Sequence, residues 1–298
     1  MASKFVRRSL LYMPGSSMKM LQKAVTLRPD AVILDLEDAV SIAEKGTARA
    51  QVVEMLPQIR ASGKEVLVRV NGMDTPWGVE DLQAIVPCRP DAIVLPKANR
   101  QYILTADCIL SMLERKHHLE PDSIGMVPLF ETTEAIVTGY EILGLCRRIN
   151  GVQFGAEDLT KEMEIGRTPG GEEIRYAREQ LIFAARARGI DSLDTPFTNV
   201  KDLEALEKDV ENAKAMGFTG KTCIHPSHID VINRVFTPTD AEVERARGIV
   251  AAMEEAVAQG RGACMYENKM VDAPVAERAR KIVEKAERIA AAARSQAE

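Results

Sequence analysis

Charged residues at the ends of apolar runs are the side chains of this sequence best placed to do chemistry. Four runs finish this way: AVILDLED (31–38), VLVRVN (66–71), MVPLFE (126–131) and VQFGAED (152–158). Each has the composition and length of a buried strand, so its last residues mark a strand tip. Gathered in one ring, such tips would bring Arg69, Glu131 and Asp158 together, with Asp35, Glu37 and Asp38 nearby. Magnesium is held by one or two carboxylates completed by water and substrate oxygens, and Glu131 and Asp158 meet that need. A cation such as Arg69 beside them is suited to a carbonyl oxygen that becomes an enolate. Plainer roles stand beside these. Asp158 precedes LTKEME and could cap a helix, whereas Glu131 is a poor cap next to Thr132 and Thr133. Arg69 could form a buried ion pair with Asp35 or Glu37, since an unpaired guanidinium is not tolerated inside a protein. Asp35 and Glu37 share one face of their run, where with Asp38 they could orient Arg69 and metal-bound water.

The elements that must carry these tips alternate. Strands are expected at 9–13, 31–36, 66–70, 92–96, 124–130, 152–156, 191–195 and 221–226, with helical patterns between them. Near-continuous apolar strands fit a parallel sheet covered on both faces. Eight strands alternating with helices predict a (β/α)₈ TIM barrel over 1–230, with a doubly wound open sheet as the competitor. In a barrel, the C-terminal strand ends form the active face. After Ile229 the pattern becomes two strong helices flanking a short loop, RGACMYENKMVD, which a barrel does not need. Residues 231–298 are therefore expected to form a C-terminal helical extension, either an outer layer or an arm reaching a neighbouring subunit.

Other motifs narrow the field. MPGSSMKMLQK joins a strand to a helix and offers backbone N–H groups to a phosphate or carboxylate. Lys19 and Lys23 share a helical face there and are either phosphate contacts or solvated surface lysines. AMGFTGKT (215–222) fits a loose Walker A pattern, but a helix leads in and a strand leads out, the reverse of a P-loop. His225 and His228 read as a hydrogen-bonded loop. Neither a Gly-x-Ser-x-Gly elbow nor a Gly-x-Gly-x-x-Gly fingerprint follows a strand. A net charge of −5 without a basic stripe argues against nucleic acid. No apolar run reaches the ~18 residues of a membrane helix. Five scattered cysteines fit reduced thiols in a cytoplasmic protein.

Taken together, RRSLLYMPGSS, LDLEDAV, VRVNGMDTPWG, LPK, FGAEDL, RTPGGEEIRYAR, GFTGKTCIHP and NKMVDAP run in an order that resembles the citrate lyase beta chain, malyl-CoA lyase and citramalyl-CoA lyase family. The resemblance spans nearly the whole chain. It implies a barrel of the phosphoenolpyruvate/pyruvate type, assembled as a homotrimer or hexamer, with Mg²⁺ on Glu131 and Asp158. It implies that Arg69 holds the substrate carbonyl and its enolate, with Glu131 also touching substrate. Tyr12 and Lys23 fall where the family contacts coenzyme A, and Ser17 stands where its loop often has an arginine. Asp272 matches an aspartate brought in from the neighbouring subunit, with a role in proton transfer. Asp35, Glu37 and Asp38 become supporting groups. The implied reaction is cleavage or formation of a 3-hydroxyacyl-CoA thioester, such as citramalyl-CoA or malyl-CoA, to acetyl-CoA and a 2-oxo acid. The alternative is the beta chain of a citrate lyase complex, acting on a citryl thioester with partner subunits. VRVNGMDTPWGVEDL leans towards that chain and IHPSHI towards the CoA lyases. A non-catalytic assembly subunit is a third reading, opposed by the joint presence of Glu131, Asp158, Arg69 and Asp272.

Overall fold

The computed structural model describes residues 5–295. The chain divides into two compact units between Asn233 and Arg234.

In the first unit eight strands close into a barrel in chain order. They are β1 Ser9–Pro14, β2 Ala31–Asp35, β3 Glu65–Arg69, β4 Ala92–Leu95, β5 Gly125–Phe130, β6 Gly151–Phe154, β7 Asp191–Asp194 and β8 Gly220–Cys223. All pairings are parallel, and β1 pairs with both β2 and β8, which shuts the ring and excludes the open sheet. The (β/α)₈ barrel expected from the alternation is the fold found. Helices cross between strands: α1 Met18–Ala24, α2 Lys45–Ala61, α3 Pro76–Ile85, α4 Arg100–Lys116, α5 Thr133–Val137, α6 Gly139–Ile142, α7 Ala156–Glu162, α8 Arg175–Arg188 and α9 Leu203–Met216. α10, Ile229–Phe236, contains the boundary between the units.

The strands are apolar on both faces because both are buried. Leu10, Ile33, Leu67, Val94, Val127 and Leu129 point inward and form one cluster. Their neighbours Leu11, Val32, Leu34, Val66, Val68 and Ile93 alternate outward towards the helices and are fully buried. Each such side chain stabilises the barrel by about 1.5–3 kcal/mol relative to leaving it in water.

Two departures from the expected elements matter for the site. The run TTEAIVTGYEILGLCRR is not one helix but the short α5 and α6, broken at Thr138. Gly139 lies so close to Phe130 that a Cβ there would sit 2.8 Å from its ring, so packing against β5 decides the path. Helix α7 begins earlier than the helix over LTKEME that Asp158 could cap: it starts directly after β6 and carries Asp158 within its first turn.

The N-terminal end of the barrel is sealed by Arg7. Its guanidinium donates to Glu65 at 2.6 and 2.9 Å, and to the Asn150 carbonyl and side chain at 3.1 and 2.9 Å. Glycines make room for it. A Cβ at Gly151 would sit 2.7 Å from Arg7 Nη1, and one at Gly220 1.8 Å from the Arg7 carbonyl oxygen.

The Walker-like segment is structural. Gly217 ends α9 at φ +113 and the chain then enters β8, the order expected from the sequence. Lys221 is fully buried between sheet and helices, 2.5 Å from Asp194 and 2.7 Å from Asp209. Arg178 of α8 reaches the same two carboxylates at 2.8 and 3.1 Å. Two cations and two anions thus balance one another and tie α8 and α9 to β7 and β8. His228 is buried and its Nε2 bonds to the Val200 carbonyl, while His225 Nδ1 pairs with Ser227. Both histidines are loop-forming, as expected.

The second unit contains α11 Asp240–Ala258, an antiparallel hairpin of β9 Cys264–Tyr266 and β10 Lys269–Val271, and α12 Ala273–Ser295. The sequence suggested only a loop between the helices. The hairpin turns on Glu267 and Asn268, at φ +47 and +60, the handedness that a two-residue hairpin requires. Ala246, Ile249, Met253, Val271, Ala276 and Ala279 form its core. A capping box of Thr239 and Glu242 starts α11.

Candidate active site

The C-terminal strand ends open onto a cavity of about 470 Å³ lined by Tyr12, Asp35, Asp38, Arg69, Glu131 and Asp158. Leu129, Phe154, Pro196 and Ile224 supply apolar walls. Arg69, Glu131 and Asp158 are therefore brought together from β3, the end of β5 and α7, although they are far apart in sequence.

Arg69 is the last residue of β3 and pairs in register with Asp35, the last of β2. Its Nε and Nη2 donate to the two Asp35 oxygens at 2.7 and 2.6 Å, and Nη1 donates to Asp38 at 3.2 Å. Glu37 Oε2 lies 2.9 Å from Nη1, yet the approach is off-axis and this buried oxygen receives no hydrogen bond. The ion pair considered for Arg69 exists, and it leaves the guanidinium on the cavity wall. The Tyr12 ring lies under the guanidinium, 5.0 Å away, a cation–π contact. Beneath the acids, buried Lys45 donates to the carbonyls of Leu36 and Glu37, both at 2.7 Å. The loop carrying Glu37 and Asp38 is fixed from below by this contact, and from above by the Glu37 and Ala39 N–H groups donating to Asp35.

Glu131 follows β5 directly and is 3% exposed. Its Oε1 accepts a 2.7 Å hydrogen bond from the Lys97 N–H. Gly155 packs against its other side, where a Cβ would come within 2.7 Å of Glu131 Cβ. Burial first, and then the Glu37 and Asp158 charges, push the Glu131 carboxyl up to about 8, against the opposing effects of the Lys97 N–H and Arg69. Burial also lifts Glu37 to about 7, with Arg69 opposing and Asp38 adding to the rise.

Asp158 sits in the first turn of α7, whose N-cap is Gly155 with no side-chain cap, so the capping role weighed for Asp158 is not the one it plays. Thr132 caps α5, leaving Glu131 free of that duty. Two contacts hold α7 in place: its Ala156 N–H donates to Thr195 Oγ1 at 3.3 Å, and Glu162 accepts from the Thr133 N–H.

The remaining expected residues sit as follows. Tyr12 points into the barrel, where its hydroxyl pairs with the Gln153 amide at 2.8 and 3.0 Å. Burial drives its phenol above the usual range, so it stays protonated. Glu37 stands behind Arg69 rather than on the cavity wall. Lys23 is exposed in the last turn of α1 and does not line the cavity. Asp272 belongs to the second unit, where its Oδ1 accepts from the Val275 N–H at 3.1 Å and starts α12. Lys97, Gln153, Gly155 and Thr195 had no assigned role in the sequence. The runs LPK and VQFGAED contained Lys97, Gln153 and Gly155, yet nothing in these residue types announces a backbone donor, a hydroxyl partner or a close approach.

Among the described residues no three His, Cys, Asp or Glu side chains converge to hold a metal by themselves. Two carboxylates opening on a polar cavity still suit a hard divalent cation, which takes its other ligands from water and substrate. The charge balance points the same way. Asp35, Glu37 and Asp38 surround the Arg69 guanidinium, and Glu131 and Glu37 are raised first by burial and then by neighbouring acids, a desolvated cluster of carboxylates that a cation would stabilise.

Residues 8–226 match the HpcH/HpaI aldolase/citrate lyase family, and residues 175–290 match the carbon–carbon bond lyases of the TIM-barrel fold. The chain is 35% identical over 284 residues to citrate lyase subunit beta of Leuconostoc mesenteroides subsp. cremoris, covering 95% of this chain and 94% of that one. It is 38% identical over 284 residues to a (3S)-malyl-CoA thioesterase of Cereibacter sphaeroides, covering 95% and 96%. Its fold superposes with a TM-score of 0.78 on the protein CitE from Mycobacterium tuberculosis in complex with magnesium, acetoacetate and coenzyme A, at 28% identity, covering 96% of this chain and 100% of that one. With a closed barrel, acids and an arginine at its strand ends, and these likenesses over nearly its whole length, the chain belongs to the HpcH/HpaI aldolase/citrate lyase family and is an enzyme of the carbon–carbon lyase type.

Proposed function

We propose that the chain is a Mg²⁺-dependent lyase that cleaves or forms a 3-hydroxyacyl-CoA thioester, citramalyl-CoA or malyl-CoA in type, giving acetyl-CoA and a 2-oxo acid. The observation that carries this is the convergence of Arg69, Glu131 and Asp158 on one cavity at the barrel's C-terminal end. The magnesium, acetoacetate and coenzyme A of the M. tuberculosis relative support it.

Glu131 and Asp158 would hold the metal, which when bound supplies Lewis-acid stabilisation to substrate oxygens. Arg69 makes three hydrogen bonds to acids and so keeps two of its five donors for a thioester carbonyl. In cleavage the substrate hydroxyl passes its proton to a base, for which Asp272 is the proposed group, and the carbon–carbon bond breaks. The hydroxyl carbon becomes the carbonyl of the 2-oxo acid, and the bonding pair passes to the thioester as an enolate. Arg69 stabilises that enolate charge, already oriented by Asp35, so no reorganisation is needed as charge develops. Protonation of the enolate carbon completes acetyl-CoA. Asp272, donated by a neighbouring subunit, is the proposed proton carrier. Tyr12 and Lys23 would contact the coenzyme A portion, and Asp35, Glu37 and Asp38 support Arg69. A homotrimer or hexamer in the cytoplasm completes the proposal, and five unpaired thiols fit that reducing setting.

Incubation with Mg²⁺ and malyl-, citramalyl- or citryl-CoA tests it, reading 2-oxo acid and acetyl-CoA. No 2-oxo acid from any of the three would refute the stand-alone lyase. Turnover only of a citryl thioester on a carrier protein would favour the citrate lyase beta chain, the reading that the Leuconostoc relative supports. Release of free 3-hydroxy acid would favour hydrolysis, as named for the Cereibacter relative. Mixing Asp272→Ala with Arg69→Ala protein should restore partial activity if sites are shared between exchanging subunits.

A further inference from the structure

Lys97 stands two residues beyond β4 with φ +47, a left-handed conformation that a lysine adopts only at an energetic cost. The surrounding backbone holds it there. The Ala98 N–H donates to the Leu129 carbonyl at 3.3 Å, and Asn99 caps α4 through the Tyr102 N–H at 2.9 Å. The Lys97 side chain is exposed. Its backbone is not idle, because this turn aims the Lys97 N–H at Glu131 Oε1, 2.7 Å away. On the opposite side a Cβ at Gly155 would come within 3.0 Å of Glu131 Oε2. Glu131 is therefore held between a backbone donor on one oxygen and a glycine surface against the other.

We propose that Lys97 is a positioning residue for this enzyme: its strained backbone N–H engages one oxygen of Glu131, and Gly155 confines the other as a single-oxygen donor for the divalent cation. This rests on the reading of Glu131 as a metal ligand. The requirement lies in the direction of the N–H and not in the amine, so side-chain identity at 97 is secondary. Strain at a residue that touches neither substrate nor metal thereby sets the geometry of one that does.

Mn²⁺ binding to the full-length protein, followed by the electron paramagnetic resonance signal of the free ion, tests this apart from turnover. Lys97→Ala and Lys97→Gly keep the N–H and should bind Mn²⁺ as wild type does. Lys97→Pro removes the N–H and, because its ring fixes φ at about −65°, also undoes the left-handed turn that aims this group. It should weaken binding by about 10–100-fold, the usual effect of losing a partner that orients a ligand. kcat should fall with it, while KM for the thioester holds. A circular-dichroism melt establishes that the proline variant is folded. If it is not, Gly155→Ala displaces Glu131 from the other side and should weaken Mn²⁺ comparably. Wild-type affinity in folded Lys97→Pro or Gly155→Ala protein overturns the proposal, as does a loss in Lys97→Ala equal to that in Lys97→Pro. Glu131→Gln separates the two levels: unchanged Mn²⁺ binding there removes the metal-ligand reading itself. A loss in Glu131→Gln with none in the other two variants removes only the positioning role.

Discussion

Arg69→Lys keeps the positive charge at the cavity and removes the fork. The guanidinium offers five N–H donors, of which two go to Asp35 and one to Asp38. Two remain for a substrate oxygen. A lysine ammonium offers three donors, and three carboxylates already crowd this position, those of Asp35, Glu37 and Asp38. All three donors are then claimed by acids and none is left for the enolate. Loss of one preorganised donor to a developing oxyanion costs roughly 10²–10³ in kcat, about 2.7–4 kcal/mol. The expected result is a fall of that size with Mn²⁺ affinity and melting temperature close to wild type, because the charge balance of the acid cluster is preserved. The assay is initial-rate formation of the 2-oxo acid, trapped as its phenylhydrazone, at saturating thioester and Mg²⁺. A lysine variant with wild-type kcat would refute the reasoning, since a point charge would then suffice. Loss of metal affinity equal to the loss of rate would refute it differently, by making Arg69 a support for the metal.

Other outcomes follow from the same structure. Asp194→Asn leaves Lys221 and Arg178 facing Asp209 alone, and breaking such a buried network should cost about 3–5 kcal/mol. At ~2–4 °C per kcal/mol for a unit of this size, that is a melting temperature lower by roughly 6–20 °C. Gly220→Ala drives a methyl into the Arg7 carbonyl and should destabilise the barrel severely in a urea titration, without any change at the cavity. Burial among acids holds the Glu131 carboxyl at about 8, against an ordinary value of 4.5, so between those pH values the folded state keeps a proton that the unfolded chain releases. Stability of metal-free protein should therefore fall as pH rises from 5 to 8. Melting temperatures of Glu131→Gln should show a shallower fall than wild type, and an identical slope would contradict the assignment.

The barrel was legible because its strands are buried on both faces and their apolar runs are almost uninterrupted. The site was legible in part for the same reason: polar residues ending such runs have nowhere to go but the strand tips. Arg69, Glu131 and Asp158 stand out on that ground. What stayed hidden depends on geometry that no residue type announces. Helix α7 is only seven residues, about two turns, too brief for a 3.6-residue period to register. The break between α5 and α6 comes from Gly139 meeting Phe130, a contact made only once β5 and the following segment fold together. The hairpin of the second unit turns on Glu267 and Asn268 without a glycine, so the strongest turn signal is missing. Asp272 shows the remaining gap. Its motif was visible, yet within its own unit it caps α12, and the part in proton transfer proposed for it would require an assembly of several chains.

Arg7 carries a practical consequence for anyone recutting this gene. Strand boundaries alone would allow a shortened version to start at Ser9, where β1 begins. Such a trim would delete the guanidinium that Glu65 and Asn150 surround, and would leave a buried carboxylate facing the hollow that Gly151 and Gly220 keep open. The minimal expressible domain is thus longer than its secondary structure suggests, and fusion partners belong ahead of residue 5.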